Sequence, residues 1–289
     1  MGRPRIGFVT AEHCPELTSD DRLAAEALEA RGASVTAVVW TRQPRPPVDA
    51  LVVRSAWDYH QRAGEFAQWL ADLEREDVKV WNPVPVLRWN MDKRYLRDLE
   101  QAGIPAAATE WVEPDSPPLA ELLQSCDWDD VVVKPAISAS GWRTFRSNRA
   151  RAGADEAAFR EALTGGLVLV QPFVPQIAHE GEWSLIYLGG RFSHAALKQP
   201  SPGGFLVQPQ HGGSIEPAIP TATMVQDAER ALAAAPGSTL YARVDGARQG
   251  RHLILMELEL LEPQLFFEFR PQAAQEFAEV LLKSLSAGG

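Results

Sequence analysis

Strand-like and helix-like segments alternate along the first 83 residues of the chain. Residues 5–11, 34–40 and 49–56 are short and apolar, as buried strands are. The segment DDRLAAEALEARGA between the first two has helical periodicity, with Asp20 or Asp21 near its N-cap. Because strand–helix–strand alternation is typical of a parallel sheet covered by helices, the sequence predicts an α/β domain. No GxGxxG follows the first strand, so a dinucleotide site has no support.

The remainder of the chain combines helices with hairpins. A helix is predicted over residues 92–101, and a strongly apolar strand over residues 166–175. One hairpin is expected to turn at Gly189 and Gly190, and a second across the sequence GARQGR. The tail from Pro271 has the apolar spacing of an amphipathic helix.

Composition argues against several classes of partner. The net charge of −10 at pH 7 does not suit nucleic acid or an anionic membrane. No apolar run approaches the roughly 20 residues of a membrane span, and the first residues, MGRPRIGFVTAEHCPE, contain no apolar signal segment. Cys14 and Cys126 lack metal-binding spacing, so we expect reduced thiols in a cytoplasmic protein.

The segment LILMELELLEP, residues 253–263, places glutamates within an otherwise apolar strand. Because side chains alternate along a strand, Glu257 and Glu259 point to the same face, about 7 Å apart. The opposite face is fully apolar. Buried carboxylates without counter-charges are costly, and a divalent cation is one such counter-charge. A solvated acidic face on an edge strand accounts for this segment equally well when it is taken alone.

A second strand supplies further charged residues to that face. In YARVD, residues 241–245, Arg243 and Asp245 point to the same side. If this strand pairs with LMELEL, Asp245 converges with Glu257 and Glu259. Three carboxylates around Mg²⁺, with an arginine beside them, suit the phosphates of a nucleotide. The alternative is a surface ladder of salt bridges, but the apolar opposite faces of both strands favour a binding site.

Two lysines and a loop of small residues precede this hairpin. Lys134 ends the apolar run DVVVKP, so its ammonium lies at the end of a buried strand and requires an anion such as phosphate. The following SASG, residues 138–141, offers backbone N–H groups that can close over phosphate oxygens, although such a loop alone is more often only a turn. Lys93, in the first turn of a helix, would by its position alone be a solvated surface lysine.

Taken in order, these segments resemble the ATP-grasp superfamily. The order is WNMDK, VVVKP, a small-residue loop, LVQPFV, GEWS, a lysine, ARVD and MELEL, and the resemblance covers about residues 54–263. RSAWDY, WNMDKRYL, YARVD and MELELLEP are similar to RimK and glutathione-synthetase-like ligases, in particular the branch with the cyclo-ligase of cycloserine biosynthesis. The resemblance implies an ATP-grasp α/β fold that begins with an N-terminal parallel α/β domain (1–88). Two α+β subdomains would follow and clasp the nucleotide. They are a central lid subdomain (89–170) and a C-terminal subdomain with the metal site (171–289).

The resemblance also implies roles for individual residues. The phosphates of ATP would be contacted by Lys93 and Lys134, and the lid loop would contain Ser138, Ser140 and Gly141. The adenine would lie against a linker of Gln171, Phe173 and Val174, and the carboxylate of Glu182 would bind the ribose. Arg243 and Lys198 would act in catalysis on the transferred phosphoryl group. Asp245, Glu257 and Glu259 would bind Mg²⁺, or Mn²⁺ in its place. Many members of the family have Asn where Glu259 stands, which puts the finer metal geometry in doubt.

The substrate pocket is predicted from two loops. RSAWDYH follows a strand, and loops at the carboxyl ends of parallel strands tend to hold ligands. Arg54 is expected to bind a substrate carboxylate, unless it forms a structural pair with Asp58. Trp57, Asp58 and Tyr59 would shape the pocket, although the two aromatic residues could instead pack between subdomains. From QHGGS, His211 and Gly212 are further candidate contacts, with a polar surface histidine as the alternative.

The resemblance implies an ATP- and Mg²⁺-dependent carboxylate–amine ligase that forms a C–N bond and releases ADP. Its substrate would be small and amino-acid-like, and would be activated as an acylphosphate; attack by an amine of the same molecule would make the enzyme a cyclo-ligase. Positioning and charge neutralisation would carry catalysis, in agreement with the absence of nucleophile-elbow, HExxH and Cys–His signatures. The alternatives are a regulatory nucleotide-binding module and a phosphotransferase on the same fold. We expect a monomer or homodimer that binds neither nucleic acid nor membrane.

Overall fold

The computed structural model describes residues 2–287, which form three β-sheets. The strands are β1 (Arg5–Thr10), β2 (Ser34–Val39), β3 (Ala50–Ser55), β4 (Val80–Trp81), β5 (Glu110–Val112), β6 (Asp130–Pro135), β7 (Phe145–Asn148), β8 (Val168–Pro172), β9 (Glu182–Leu188), β10 (Arg191–Gln199), β11 (Ser214–Ala218), β12 (Tyr241–Gln249) and β13 (His252–Glu259). The α-helices are α1 (Ser19–Glu29), α2 (Ala63–Arg75), α3 (Val84–Asn90), α4 (Tyr95–Gln101), α5 (Leu119–Ser125), α6 (Ala152–Leu163), α7 (Pro175–His179), α8 (Ala222–Ala233) and α9 (Pro271–Ala287).

The first sheet is parallel, with strand order β2-β1-β3-β4, as the alternation of the first 83 residues predicts. The N-cap of helix α1 lies two or three residues before Asp20 or Asp21, the residues that the sequence suggests. Its N-cap is Thr18, whose hydroxyl accepts the N–H of Asp21 at 3.1 Å. Asp20 and Asp21 therefore lie inside the first turn, where both are buried.

The second sheet is antiparallel, with order β5-β8-β6-β7. Side chains alternate along β6, so Val131 and Val133 share one face and are fully buried. They belong to one apolar core with Leu119 of α5 and Phe159 of α6. The other face of β6 carries Lys134, and the strand leads directly into the predicted lid loop.

The third sheet is antiparallel, with order β11-β10-β9-β12-β13. β9 and β10 turn at Gly189 and Gly190, whose φ values of 55° and 74° are ones that glycine adopts readily. β12 pairs with β13 so that Asp245 faces Glu257, which confirms the predicted hairpin. β12 continues to Gln249, so the turn is shorter than the sequence GARQGR suggests.

β13 lies at the edge of this sheet, and side chains from outside the sheet bond its free backbone groups. The amide of Asn90 donates to the carbonyl of Leu258 at 2.6 Å and accepts the N–H of Leu260 at 2.7 Å. The Tyr95 hydroxyl accepts the N–H of Leu258 at 3.0 Å, and Asn82 donates to the carbonyl of Leu260 at 2.7 Å. We call these three side chains the edge clamp. The clamp fixes the strand that carries Glu257 and Glu259.

None of the helices within residues 2–287 is long and apolar enough to cross a membrane. The cytoplasmic location, the oligomeric state and the domain boundaries at residues 88 and 170 stay predictions.

Candidate active site

A cavity of about 850 Å³ is lined by residues from the second and third sheets and from the segment that follows β3. All of the predicted site residues except Arg54, Asp58 and Gly212 line it. These residues are Trp57, Tyr59, Lys93, Lys134, Ser138, Ser140, Gly141, Gln171, Phe173, Val174, Glu182, Lys198, His211, Arg243, Asp245, Glu257 and Glu259. The fold therefore brings together side chains that lie far apart in the sequence.

Lys93 is a buried residue of the cavity wall, and not the solvated lysine that its helix position alone suggests. Its ammonium donates to the carbonyl oxygen of Ser138 at 2.8 Å and lies 2.9 Å from the Glu257 carboxylate. Because Ser138 begins the lid loop, Lys93 ties that loop to β13.

Lys134 differs from the other lysines and arginines of the cavity. Lys93, Lys198, Arg143 and Arg243 each have an ion pair, whereas Lys134 has no hydrogen bond or ion pair within residues 2–287. Burial lowers the pKa of Lys134, since nearby Glu257 compensates only in part. An ammonium without a partner on a cavity wall favours an anionic ligand.

Lys198 and Arg243 are held together by Asp245. The Lys198 ammonium lies 3.0 Å from both Glu182 and Asp245. The Arg243 guanidinium bonds Asp245 at 3.0 Å and also contacts Glu259. Burial acts to raise the pKa of Asp245, but Arg243 and Lys198 outweigh it and hold that pKa well below its usual range.

The three predicted metal ligands do not form a ready-made cluster. Within the described residues, no three His, Cys, Asp or Glu side chains are arranged to hold a metal ion. The side chain of Asp245 is 2% exposed, and its oxygens are bonded to Ser184, Lys198 and Arg243. In this arrangement the oxygens of Asp245 position the two cations Lys198 and Arg243, and its role as a metal ligand stays a prediction.

Glu257 and Glu259 fit a divalent cation better. They lie on one face of β13, and their side chains are 26% and 24% exposed at the cavity. Burial raises the pKa of Glu259 to about 7, although Arg243 opposes this. For Glu257, Lys93 and Lys134 outweigh burial and lower its pKa. Carboxylate oxygens are the ligands that hard divalent cations prefer, so the donor chemistry of this pair suits Mg²⁺.

The opposite end of the cavity contains the predicted linker and ribose-binding residues. Gln171 is buried, and its side-chain amide donates to the Thr109 hydroxyl at 2.8 Å. The guanidinium of Arg146 lies 3.7 Å from the centre of the Phe173 ring. Burial raises the pKa of Glu182, although Lys198 opposes this. This part of the cavity therefore combines the Phe173 ring with the polar side chains of Gln171 and Glu182.

Two loops cover the cavity. In the lid loop, Ser140 and Gly141 have φ values of 54° and 75°. From the loop after β10, the His211 ring nitrogen Nε2 lies 3.4 Å from the carbonyl oxygen of Ser140. Trp142, the residue directly after the lid loop, packs against His60, with ring centroids 5.1 Å apart. The lid loop therefore contacts the loop after β10, and the adjacent Trp142 contacts the N-terminal domain.

The chain is similar in sequence to proteins of one known family. Residues 6–82 match a family model described as the N-terminal domain of the D-cycloserine synthetase DcsG. A Streptomyces lavendulae protein, cycloserine biosynthesis protein DcsG, is 32% identical over 273 residues, which cover 86% of this chain and 85% of that protein. The chain belongs to the DcsG family of ATP-grasp ligases. It is an ATP-dependent ligase that forms C–N bonds, of a superfamily that uses ATP with a divalent metal.

Solved structures confirm the ATP-grasp fold. The crystal structure of D-cycloserine synthetase DcsG superposes with a TM-score of 0.87 at 26% identity, over 97% of this chain and 99% of that one. A RimK-domain ATP-grasp protein from Sphaerobacter thermophilus gives 0.69 at 19% identity, over 96% and 99% of the two chains. D-alanine–D-alanine ligase from Bacillus anthracis gives 0.70 at 13% identity, over 99% and 100%. The last two establish the fold alone.

In this DcsG-family chain, Arg54 lies outside the cavity, so its predicted contact with substrate is corrected. Arg54 is 1% exposed, and its Nε donates to Asp21 at 2.9 Å while Nη2 lies 3.6 Å from Asp20. Its guanidinium also faces the ring of Tyr241, 5.0 Å from the centroid. The expected alternative pair with Asp58 is wrong as well. The carboxylates that pair with Arg54 come from the buried first turn of α1.

Asp58 and Gly212 do not line the cavity, and their contacts with substrate stay predictions. Asp58 accepts hydrogen bonds from the Trp40 indole at 2.7 Å and from the backbone N–H of Glu12 at 3.2 Å, so it holds loops of the N-terminal domain together. Gly212 follows the short turn Pro209–His211 with a φ of 85°, which explains why glycine stands there.

The cavity wall includes further residues that were not among the predicted site residues, and two of them are titratable side chains next to predicted segments. These two are His60 and Glu262. The sequence contained a signal for each: His60 follows the segment WDY directly, and Glu262 is the third glutamate of LILMELELLEP.

Proposed function

We propose that this chain uses ATP to activate the carboxylate of a small amino-acid-like substrate as an acylphosphate. A carboxylate oxygen attacks the terminal phosphorus of ATP, and ADP leaves. An amine nitrogen then attacks the acyl carbon, and phosphate leaves. Because the relatives that share 32% and 26% identity are named for cycloserine, a cyclic product, we propose that this amine belongs to the same molecule.

The observation that carries the proposal is the composition of one cavity. It combines a carboxylate pair facing inward with five cationic side chains, namely Lys93, Lys134, Arg143, Lys198 and Arg243. Phosphoryl transfer to a carboxylate brings two anions together, so positioned positive charge is what the reaction requires.

The side chains divide this work by position. Lys134 binds phosphate oxygens, since it is the cation of the cavity wall without a partner within residues 2–287. Arg243 and Lys198, held in place by Asp245, face the transferred phosphoryl group and stabilise its charge. The lid loop, tied to Lys93 through Ser138, excludes water that would hydrolyse an acylphosphate.

Glu257 and Glu259 would hold Mg²⁺, which would supply further neutralisation of phosphate charge when bound. At the other end, Gln171, Phe173 and Val174 would contact the adenine, and Glu182 would bond the ribose.

The proposal is tested by ADP release from the purified protein with panels of D- and L-amino acids and dipeptides, followed by mass analysis of products. ADP release with one amino-acid compound alone, and a cyclic product, would support ring closure. If ADP release required a second compound that supplies the amine, the reaction would be ligation between two molecules and not ring closure. A phosphorylated compound as the stable product would contradict attack by an amine.

Lys134→Met should weaken binding of a non-hydrolysable ATP analogue about 10- to 100-fold, which is the range for loss of a hydrogen bond to a charged group. Methionine keeps most of the side-chain volume, so the apolar contacts of β6 should persist. Isothermal calorimetry in the presence of Mg²⁺ measures the effect. The matched control is Lys283→Met on the exposed side of α9, which should leave the affinity unchanged. Unaltered affinity in Lys134→Met would contradict the phosphate role of Lys134.

A further inference from the structure

Among the described residues, each carboxylate deep in the cavity pairs with a lysine or arginine, except for one glutamate. Glu182 pairs with Lys198 at 3.0 Å, and Glu257 pairs with Lys93 at 2.9 Å. Asp245 pairs with Arg243 at 3.0 Å, and Glu259 also pairs with Arg243. Glu262 also lines the cavity, but its carboxylate has no hydrogen bond or ion pair within residues 2–287. A cavity carboxylate without a counter-charge favours a cationic ligand.

The backbone of Glu262 is held beside the segment that follows β3. The Trp57 indole donates to the carbonyl oxygen of Glu262 at 3.1 Å. Tyr59, which is 4% exposed, also lines the cavity and lies in the electrostatic field of Glu262. Glu262 therefore belongs to the part of the cavity bordered by the segment after β3, and not to the linker end.

His60 adds an independent sign of a ligand in the same part of the cavity. The side chain is 9% exposed, and neither ring nitrogen has a hydrogen-bond partner within the described residues. The backbone of Trp57 lies near the ring, but without the geometry of a hydrogen bond. The ring also packs on Trp142, which directly follows the lid loop. Buried imidazole nitrogens are normally bonded, so two unbonded ones at a cavity wall indicate a polar group that the cavity is built to receive.

We propose that Glu262 and His60 form the substrate subsite, in which Glu262 binds a primary ammonium group and His60 hydrogen-bonds a second polar group of the same molecule. The inference rests on the proposed function, and it specifies that the substrate enters with a free ammonium group. Burial and the neighbouring Glu259 raise the pKa of Glu262 to about 8, and a bound ammonium offsets the cost of ionising this carboxyl.

The test compares the compound that supports ADP release in the amino-acid panel with its deamino counterpart, each as a ligand in calorimetry. Wild-type protein should bind the ammonium compound about tenfold or more tightly than the deamino compound. Glu262→Gln should lose this preference, whereas Glu262→Asp should keep part of it. His60→Phe retains an aromatic ring that can pack on Trp142, and should weaken both compounds by the same factor.

Controls separate this role from others. Glu268→Gln changes an exposed glutamate of the same segment and should leave the preference intact. The affinity for Mn²⁺, measured by paramagnetic resonance, should be the same in wild type and Glu262→Gln. A fall in Mn²⁺ affinity would make Glu262 a metal ligand and overturn the subsite, as would an ammonium preference that survives in Glu262→Gln. If no panel compound supports ADP release, the proposed function itself fails and the subsite fails with it.

Discussion

Replacing Glu257 by glutamine should lower turnover at saturating ATP by at least about 100-fold, because a metal ligand that stabilises transition-state charge contributes several kcal/mol. Glutamine has nearly the same volume and can still accept a hydrogen bond from Lys93, which lies 2.9 Å from the carboxylate. The fold should therefore persist, with an unchanged circular dichroism spectrum. Coupled ADP release over a range of Mg²⁺ concentrations measures the loss.

The matched control for this variant is Glu216→Gln, which makes the same substitution at an exposed position of β11 in the same sheet. It should retain wild-type turnover. Wild-type turnover in Glu257→Gln would show that Glu257 does not bind the metal. Asp245 is a poorer choice for this experiment, because its removal would also release Lys198 and Arg243.

Replacing Arg54 by methionine should lower the free energy of unfolding by about 3–5 kcal/mol, the range for breaking a buried ion pair by removal of one partner. The substitution leaves Asp20 and Asp21 buried without their cation. It also removes the guanidinium from beside Tyr241 and Phe277. Denaturation in urea, followed by circular dichroism, measures the change in free energy.

Affinity for the ATP analogue should be retained in folded Arg54→Met, since Arg54 does not line the cavity. The control is Arg5→Met, whose partner Asp49 is an exposed surface residue, and its unfolding midpoint should barely move. If Arg54→Met kept wild-type stability but lost substrate affinity, the arginine would have to reach the substrate, contrary to its buried position.

The parts of the site that local sequence patterns determine could be predicted. Two-residue alternation places Glu257 and Glu259 on one face of β13, and the pairing with β12 follows from two strands joined by a short turn. Lys134 could be identified because an ammonium at the end of a buried strand requires an anion. Both features depend on residues that are close together along the chain.

Features that depend on distant parts of the chain could not be predicted from pattern alone. The partners of Arg54 lie more than thirty residues away, on a helix whose acidic first turn resembles an ordinary N-terminal capping sequence. Besides the nearby Arg243, Asp245 is bonded by Lys198, which lies on a strand two positions away in the sheet. His60 looks like any loop histidine until the fold places Trp142 against it.

The edge clamp has a consequence for aggregation. An exposed strand edge offers unpaired N–H and carbonyl groups to another molecule, and proteins commonly block such edges with charges or covering segments. Here Asn90 and Tyr95 occupy the backbone groups that a second copy of β13 would need. Partial unfolding of the segment that carries them would free the edge at Leu258 and Leu260. The asparagine that holds the active-site strand in register would thereby also protect the chain from self-association between strands.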